Sequence, residues 1–299
     1  MALTRNYARY GASTTFFDSV EEFLSSTVPA SSSEEAEAIS IRYGAALMDV
    51  LVEDRGADVT IVLFHAAIDP AKTSLPVFIG KQMVEGIDAN LVYISDPSLD
   101  RGASIGWFTG DESRPFQEDL TSCLSHIFAS FHPDAPVGEL GKKAIFFGAS
   151  AGGFAALYFS RRFPGSLAVV SNPQTHIGRY LEPQVKAYRK KCWSSQKLSE
   201  TTMTFDLVTE YGKGFNNYVA YLQNEDDELH YTQHYLPWSQ AVAERPQQWR
   251  LLLGDWGEGH APAPQMLLTG ILGYAASLAG DWERLFEDEM FASSDLGRP

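Results

Sequence analysis

The 299-residue chain contains little cysteine. Its two cysteines, Cys123 and Cys192, are too few to build a disulfide framework, and their spacing matches no metal-binding motif. We therefore expect both side chains to be reduced thiols with a structural role.

Basic residues are scarce as well. The chain has 23 lysines and arginines against 38 aspartates and glutamates, so its formal net charge is −15. A surface this acidic repels phosphate backbones. The composition therefore argues against nucleic acid as a general partner, although it allows a small basic patch.

Long apolar runs are also missing. The most apolar stretch, residues 266–280, is shorter than the roughly 20 residues that a membrane helix needs. Residues 1–19 lack the apolar run that a secretory signal requires. The sequence thus predicts a soluble, cytoplasmic protein without a membrane span.

Apolar runs bounded by turn residues alternate with helix-compatible stretches from about residue 59 onward, after a predicted antiparallel pair at 39–43 and 46–52. This alternation is typical of the α/β class, with a mostly parallel sheet and helices on both faces. The predicted strands are 59–64, 89–95, 143–147, 167–170, 218–222 and 249–253, and the predicted helices are 76–86, 116–131, 153–162 and 263–279.

The chain divides into three predicted units. Residues 1–37 are expected to form an N-terminal helical extension and a linker, and residues 38–175 together with 218–299 form the core. Residues 176–217 contain no clear strand and are too many for an ordinary loop, so we expect a helical insertion that acts as a lid.

The strongest motif is Gly-Ala-Ser-Ala-Gly at residues 148–152, between a predicted strand and a predicted helix. This is G-x-S-x-G in the setting of a nucleophile elbow, where a tight turn exposes Ser150 at the end of the sheet. A glycine-rich turn used only for packing or for holding a phosphate is the alternative. The motif lacks the lysine of a P-loop and the spacing of a dinucleotide-binding loop.

With this motif, residues 39–279 resemble the α/β-hydrolase superfamily. The resemblance implies a catalytic triad in the order serine, acid, histidine. His260, in a loop after the last predicted strand, matches the position of the base. The acid follows the preceding strand, where we favour Asp227 and keep Asp226 as the second candidate.

The resemblance also implies an oxyanion hole with two backbone donors. Ala151 would supply the first N–H group and Ala67 the second. The loop at residues 65–67 reads His-Ala-Ala where many relatives have a glycine after the histidine, which puts the conformation of this loop in question. His65 and Ala66 are predicted to line the substrate site.

A polar cluster, Asn-Pro-Gln-Thr at residues 172–175, follows the strand after the elbow. It is weakly similar to hydrolase-like proteins of bacterial capsule, glycan and accessory-secretion systems. Asn172, Gln174 and His230 are therefore predicted to contact substrate. His230 and His234 are four residues apart, but the segment lacks the glutamate of a zincin, so no metal is expected.

The predicted insertion is unusually basic. Residues 176–200 contain six lysines and arginines against two glutamates. Such a charge run is commonly a solvated helix face. A basic lid that selects an anionic substrate is the other possibility.

The sequence therefore predicts a serine hydrolase that cleaves an ester of a small molecule or a glycan through an acyl-enzyme, without cofactor or metal. Two alternatives stay open. The same triad can transfer the acyl group to a glycan or alcohol acceptor, and the scaffold can serve as a non-catalytic interaction protein. The oligomeric state is not predicted.

Overall fold

The computed structural model describes residues 4–32 and 35–291. The outermost residues of the predicted first and last units, 1–3 and 292–299, lie outside this range, as do residues 33 and 34. Within the described residues, nine strands form one mixed sheet. The strands are β1 (Ser13–Phe17), β2 (Glu37–Tyr43), β3 (Ala46–Glu53), β4 (Thr60–Phe64), β5 (Asn90–Ser95), β6 (Ala144–Ala149), β7 (Leu167–Ser171), β8 (Tyr218–Asn224) and β9 (Trp249–Gly254).

The strands lie in the order β1-β2-β3-β5-β4-β6-β7-β8-β9. The β2–β3 and β3–β5 pairs are antiparallel, and every other pair is parallel. Because β4 to β7 are buried on both faces, their residues are almost continuously apolar. The carboxyl ends of β4 and β6 to β9 meet at one edge of the sheet, which is where a ligand crevice forms in such folds.

Helices cover both faces of the sheet, as predicted. They are α1 (Val20–Ser25), α2 (Lys81–Val84), α3 (Phe116–Phe131), α4 (Ala151–Arg162), α5 (Glu182–Cys192), α6 (Leu207–Gly212), α7 (Glu228–His230), α8 (Leu236–Ala241), α9 (Gln265–Leu278) and α10 (Trp282–Leu285). Apolar side chains of α3 and α4 pack on one face, and those of α9 and α10 pack on the other. No helix in the described part of the chain is long and apolar enough to cross a membrane.

The N-terminal segment is less helical than the sequence suggested. Residues 13–17 form the edge strand β1, which pairs in parallel with β2. Ser13 and Thr15 face the carboxylate of Glu37 and donate hydrogen bonds to it. Ser13 and Thr15, two residues apart, lie on the same side of β1, which is the period of a strand, and only α1 keeps the expected helical spacing.

The helix predicted at residues 76–86 shrinks to the four residues of α2. The chain before it is held against β5, because the N–H of Val77 donates to the hydroxyl of Ser95 at 2.9 Å. Gly80 then has a φ of 86° and lies directly before α2. The left-handed conformation of Gly80 interrupts any longer helix.

The insertion at residues 176–217 contains α5 and α6 joined by irregular segments. Tyr188, Trp193, Leu207 and Tyr211 are buried in the same apolar cluster as α3 and α4. This burial anchors the inner side of the insertion firmly to the core.

Candidate active site

Ser150 lies in the sharp turn that joins β6 to α4. Its φ is 54° and its ψ is −117°, a strained combination for a residue with a side chain. A methyl group on Gly148 would lie 2.1 Å from the carbonyl oxygen of Gly152. One on Gly152 would lie 2.4 Å from the carbonyl oxygen of Phe64, at the end of β4. The two glycines of the motif are therefore needed for close packing of the turn on its neighbours.

The hydroxyl of Ser150 is held by Gln174. The side-chain Nε2 of Gln174 donates to Oγ of Ser150 at 3.0 Å, and the two residues also share a backbone hydrogen bond of 3.1 Å. Gln174 is completely buried. The sequence predicted this glutamine as a substrate contact, and the structure places it against the serine.

Trp107 completes the surroundings of Gln174, and no motif in the sequence indicated this residue. Its indole Nε1 donates to Oε1 of Gln174. Trp107 and Phe108 both have positive φ, at 53° and 54°, and the N–H of Phe108 donates to Asp96 at 2.9 Å. The only local signal is Gly106, where a methyl group would lie 2.4 Å from Ser98.

Asp227 follows β8 and caps the short helix α7. One carboxylate oxygen accepts from the backbone N–H of His230 at 3.1 Å and from its ring Nδ1 at 2.9 Å. The other accepts from Nδ1 of His260. Burial opposes ionisation, but the hydrogen bonds from both histidines outweigh it and hold the pKa of Asp227 below its ordinary value. Asp226, the second candidate, is exposed.

Two buried asparagines fix the loop that carries His260. The amide nitrogen of Asn224 donates to the carbonyl oxygens of Gly257 and Gly259, at 2.8 and 2.7 Å. That of Asn172 donates to Ala261 at 2.8 Å. The side-chain oxygen of Asn172 also accepts from the backbone of Asn224 at 2.6 Å. The amide of Asn172, predicted to bind substrate, is thus engaged on both sides within the protein.

The rings of His230 and His260 stack in parallel. Their centroids are 4.0 Å apart and their planes differ by 11°. His230 is buried, whereas the side chain of His260 is 42% exposed. Among the described residues, neither histidine is hydrogen-bonded to Ser150. The amide nitrogen of Gln174 lies between Ser150 and His230, at 3.0 Å from Oγ of the serine and 3.5 Å from Nε2 of the histidine.

Asp227, His230 and His260 place three potential metal-ligand atoms within 4.8 Å of one another. A metal ion must lie close to the plane of each imidazole that binds it. Two parallel stacked rings direct their nitrogen lone pairs side by side, so they do not converge on one ion. His234 does not add to the set, since its Nδ1 accepts from the backbone of Thr175 at 3.2 Å. The arrangement fits a shared carboxylate better than a metal centre.

The loop after β4 lies against the serine turn, because Gly152 packs on the carbonyls of Phe64 and His65. Both ring nitrogens of His65 are engaged: Nδ1 bonds to Ala66 O at 2.7 Å, and Nε2 accepts from Asp96 N at 3.1 Å. Burial lowers the pKa of His65. His65 therefore holds this loop in place, and Ala67 is exposed beside it. Ala151, predicted as the other donor, is buried at the start of α4.

No protein-family model matches the chain, and neither does the sequence of any curated protein. Solved structures do. The capsule O-acetyltransferase of Neisseria meningitidis serogroup A, in complex with caged gadolinium, has a TM-score of 0.57 at 12% identity. The match covers 81% of this chain and 94% of that chain.

Two larger enzymes are similar as well. Porphyromonas gingivalis dipeptidyl peptidase 4 has a TM-score of 0.55 at 12% identity, over 83% of this chain and 35% of that chain. Prolyl oligopeptidase B from Galerina marginata has a TM-score of 0.53 at 11% identity, over 87% and 38%. The chain therefore spans about a third of each peptidase. These similarities confirm the predicted α/β-hydrolase fold, a scaffold used by hydrolases and acyltransferases.

Proposed function

We propose that the protein is a serine enzyme that cleaves an ester through an acyl-enzyme intermediate. The observation that supports this most strongly is the pairing of Asp227 with His260 at the same sheet edge as the strained turn of Ser150. A serine hydroxyl needs such a base and an orienting acid to attack a carbonyl near neutral pH. A purely structural turn has no use for the strain or for the pair.

In the proposed reaction, Oγ of Ser150 attacks the ester carbonyl while Nε2 of His260 takes the hydroxyl proton. The carbon–oxygen bond to the leaving alcohol then breaks, and His260 returns the proton to the departing oxygen. Water repeats the sequence on the acyl-enzyme and releases a carboxylic acid. Asp227 stays ionised throughout and orients His260, in agreement with its lowered pKa.

Backbone N–H groups stabilise the negative charge on the carbonyl oxygen. Ala151 begins α4, so its N–H has no partner within the helix and lies at the positive end of the helix dipole. Ala67 supplies the second N–H, from the loop that packs against the turn. An oxyanion hole of this kind typically contributes about 3 kcal/mol per donor to the transition state.

A cavity of about 500 Å³ adjoins the serine turn without including Ser150 or His260 in its lining, and we propose that it receives an apolar group of the ester. Its lining includes Ala149, the residue before the serine, and Pro262 from the His260 loop. Met83, Phe147 and Leu268 make the remainder largely apolar. A small-molecule or glycan ester is the substrate class that we propose.

Acyl transfer to an acceptor other than water is the second candidate. It is favoured by the similarity to a capsule O-acetyltransferase, since the match covers 94% of that enzyme and 81% of this chain. The two reactions share the acyl-enzyme and differ in whether water or a sugar hydroxyl attacks it. Product analysis with and without a glycan acceptor separates them.

A fluorophosphonate probe tests the proposal directly. We expect it to label Ser150 in the wild-type protein and to leave Ser150→Ala unlabelled. Ser122→Ala, at an exposed position on α3, is the matched control and should label normally. Absence of labelling at Ser150 in folded wild-type protein would favour the non-catalytic alternative.

A further inference from the structure

Two histidines share the carboxylate of Asp227, but the proposed reaction uses one base. His230 and His260 each direct Nδ1 to a different oxygen of Asp227, and their rings lie face to face. Both therefore turn Nε2 away from Asp227. Some other feature of the site must decide which histidine takes the proton of Ser150.

Trp107 fixes the orientation of the Gln174 amide. An indole N–H is a donor only, so the atom of Gln174 that it contacts must be the carbonyl oxygen. The amide NH₂ consequently points in the other direction. Its two hydrogens face Oγ of Ser150 and Nε2 of His230, at 3.0 and 3.5 Å.

Gln174 in turn fixes the tautomer of His230. A nitrogen that faces an N–H donor must present a lone pair, so Nε2 of His230 is unprotonated and its hydrogen is on Nδ1. That hydrogen is donated to the Asp227 carboxylate, which can only accept, with Nδ1 2.9 Å from the carboxylate oxygen. Protonation of Nε2 would bring two donors against each other. His260 has no such obstacle, because its Nε2 has no hydrogen-bond partner among the described residues.

We propose that Gln174 is a positioning residue that keeps His230 neutral and so leaves His260 as the base. This inference rests on the proposed function. When His260 takes the serine proton, a positive charge forms 4.0 Å from the His230 ring. A His230 that was already protonated would oppose that charge by direct repulsion. A neutral His230 instead supports Asp227 without competing for the proton.

The other titratable side chains that face His230 are uncharged at pH 7, so they do not change its protonation. His234, on the same helical segment, lies 5.3 Å away with its ring tilted by 44°, and burial lowers its pKa to about 3. Tyr180, from the insertion, lies 6.0 Å from His230 and its side chain also contacts Gln174, and burial raises its pKa. Both are neutral at pH 7. Burial lowers the pKa of His230, and Asp227, the one charged group in hydrogen-bond contact with it in the described part of the chain, acts in the opposite direction. The Gln174 donor works with burial, because it blocks the Nε2 position that a second proton would take.

Nitrogen NMR of the resting wild-type protein, labelled at histidine, tests the tautomer without relying on activity. We expect Nε2 of His230 to have the shift of an unprotonated nitrogen from pH 8 down to pH 5.5. A protonated Nε2, or titration of His230 within that range, would overturn the proposal. The proposed hydrolysis could still stand in that case, so the two claims fail separately.

The Gln174→Glu variant provides the kinetic test. A glutamate keeps an acceptor for Trp107 but replaces the NH₂ group with an oxygen that attracts a proton to His230. We expect kcat/KM to gain a second ionisation and to fall at least about tenfold more at pH 6 than at pH 8.5. KM should change much less than kcat.

The His230→Asn variant is the matched control, since its amide retains a donor near the Nδ1 position and cannot titrate. Alone, it should show the same single ionisation as the wild type. Combined with Gln174→Glu, it should remove the second ionisation. A double variant that keeps the second ionisation, or a Gln174→Glu profile identical to that of the wild type, would contradict the proposal.

Discussion

Two buried carboxylates stabilise opposite parts of this sheet in different ways. Asp49, on β3, accepts from the Arg5 guanidinium at 2.5 Å and from the hydroxyls of Tyr7 and Ser40 at 2.9 and 2.7 Å. Asp227, after β8, is bound by two histidine rings. Both aspartates are at most 3% exposed.

The difference lies in whether the partner can change its charge. Arg5 is always protonated, so the positive charge that faces Asp49 is permanent, and it ties the N-terminal segment to the sheet. The partners of Asp227 are imidazoles, one of them 42% exposed, and an imidazole can gain and lose a proton near pH 7. A buried carboxylate thus becomes useful for chemistry when its partner is titratable and accessible.

Exchanging the carboxylate for an amide gives the largest expected contrast. Asp227→Asn should lower kcat by about 10³- to 10⁴-fold, because the amide favours the wrong His260 tautomer. The exposed neighbour Asp226→Asn is the control and should change kcat less than about threefold. Ester hydrolysis assays on folded protein measure both. A larger loss in Asp226→Asn than in Asp227→Asn would assign the orienting acid to Asp226 instead.

Removing the permanent cation should affect stability instead of catalysis. Arg5→Met leaves Asp49 buried without its charged partner and should lower the free energy of unfolding by about 3 kcal/mol. kcat at 20 °C should stay within about twofold of the wild type. Arg9→Met, at an exposed position, is the control, with an expected loss below about 0.5 kcal/mol. Denaturant unfolding measures these values. A loss of kcat in Arg5→Met would contradict the claim that the Arg5–Asp49 pair affects stability alone.

Mild acid should loosen the Asp227 side of the molecule first. Burial lowers the pKa of His234 to about 3. Below about pH 6.5 the unfolded chain binds a proton that folded His234 does not, so this stability contribution is lost as the pH falls from 6.5 towards 3. The loss is about 2 kcal/mol at pH 5. Asp49 behaves oppositely: burial raises its pKa, so acid does not weaken the fold there.

The His234→Asn variant tests this asymmetry. Its amide oxygen can still accept from Thr175, but it no longer titrates. The free energy of unfolding should therefore fall less between pH 7.5 and pH 5 in the variant than in the wild type. Hydrogen exchange at pH 5 should show earlier opening near residues 228–241 than near β3. Equal pH slopes for both proteins would contradict the expectation.

The smallest expected effect concerns the exposed charges of the insertion. None of the five lysines and arginines at residues 179–191 forms an ion pair with an acid in the part of the chain described here. Lys186 and Arg189 line a cavity of about 480 Å³. Replacing Lys186 and Lys190 with glutamine should raise KM for an anionic ester about threefold at low salt and leave that of its neutral analogue unchanged. Equal changes would identify the charges as a solvated face.

The central strands, and the catalytic candidates next to them, could be predicted because their signals are local. Runs such as residues 61–64 of β4 are continuously apolar, and the turn around Ser150 shows its glycine spacing directly in the sequence. Asp227 and His260 follow strands at positions that the resemblance implies. Helix α3 has the bounds that were predicted, since its apolar spacing and length are both unambiguous.

The supporting contacts could not be predicted because they join distant parts of the chain. Trp107 is 67 residues from Gln174, and Asn224 is 33 residues or more from the carbonyls that it holds. The sequence around an indole or an amide in a polar loop does not indicate which distant residue it will bond. Asn224 lies three residues before Asp227 in the sequence, yet its side chain holds the more distant His260 loop. Even the Gln174 prediction identified the residue without its contact to the serine.

The asparagine-held loop around His260 offers a place to attach a reporter. Glu258 is exposed, and the carbonyls of the glycines on either side of it are already fixed by Asn224. Both native cysteines are buried, and burial raises the pKa of each thiol to about 12, so neither reacts readily with maleimides. A Glu258→Cys protein should therefore accept a single dye two residues from the proposed base. Its fluorescence would follow substrate arrival in real time.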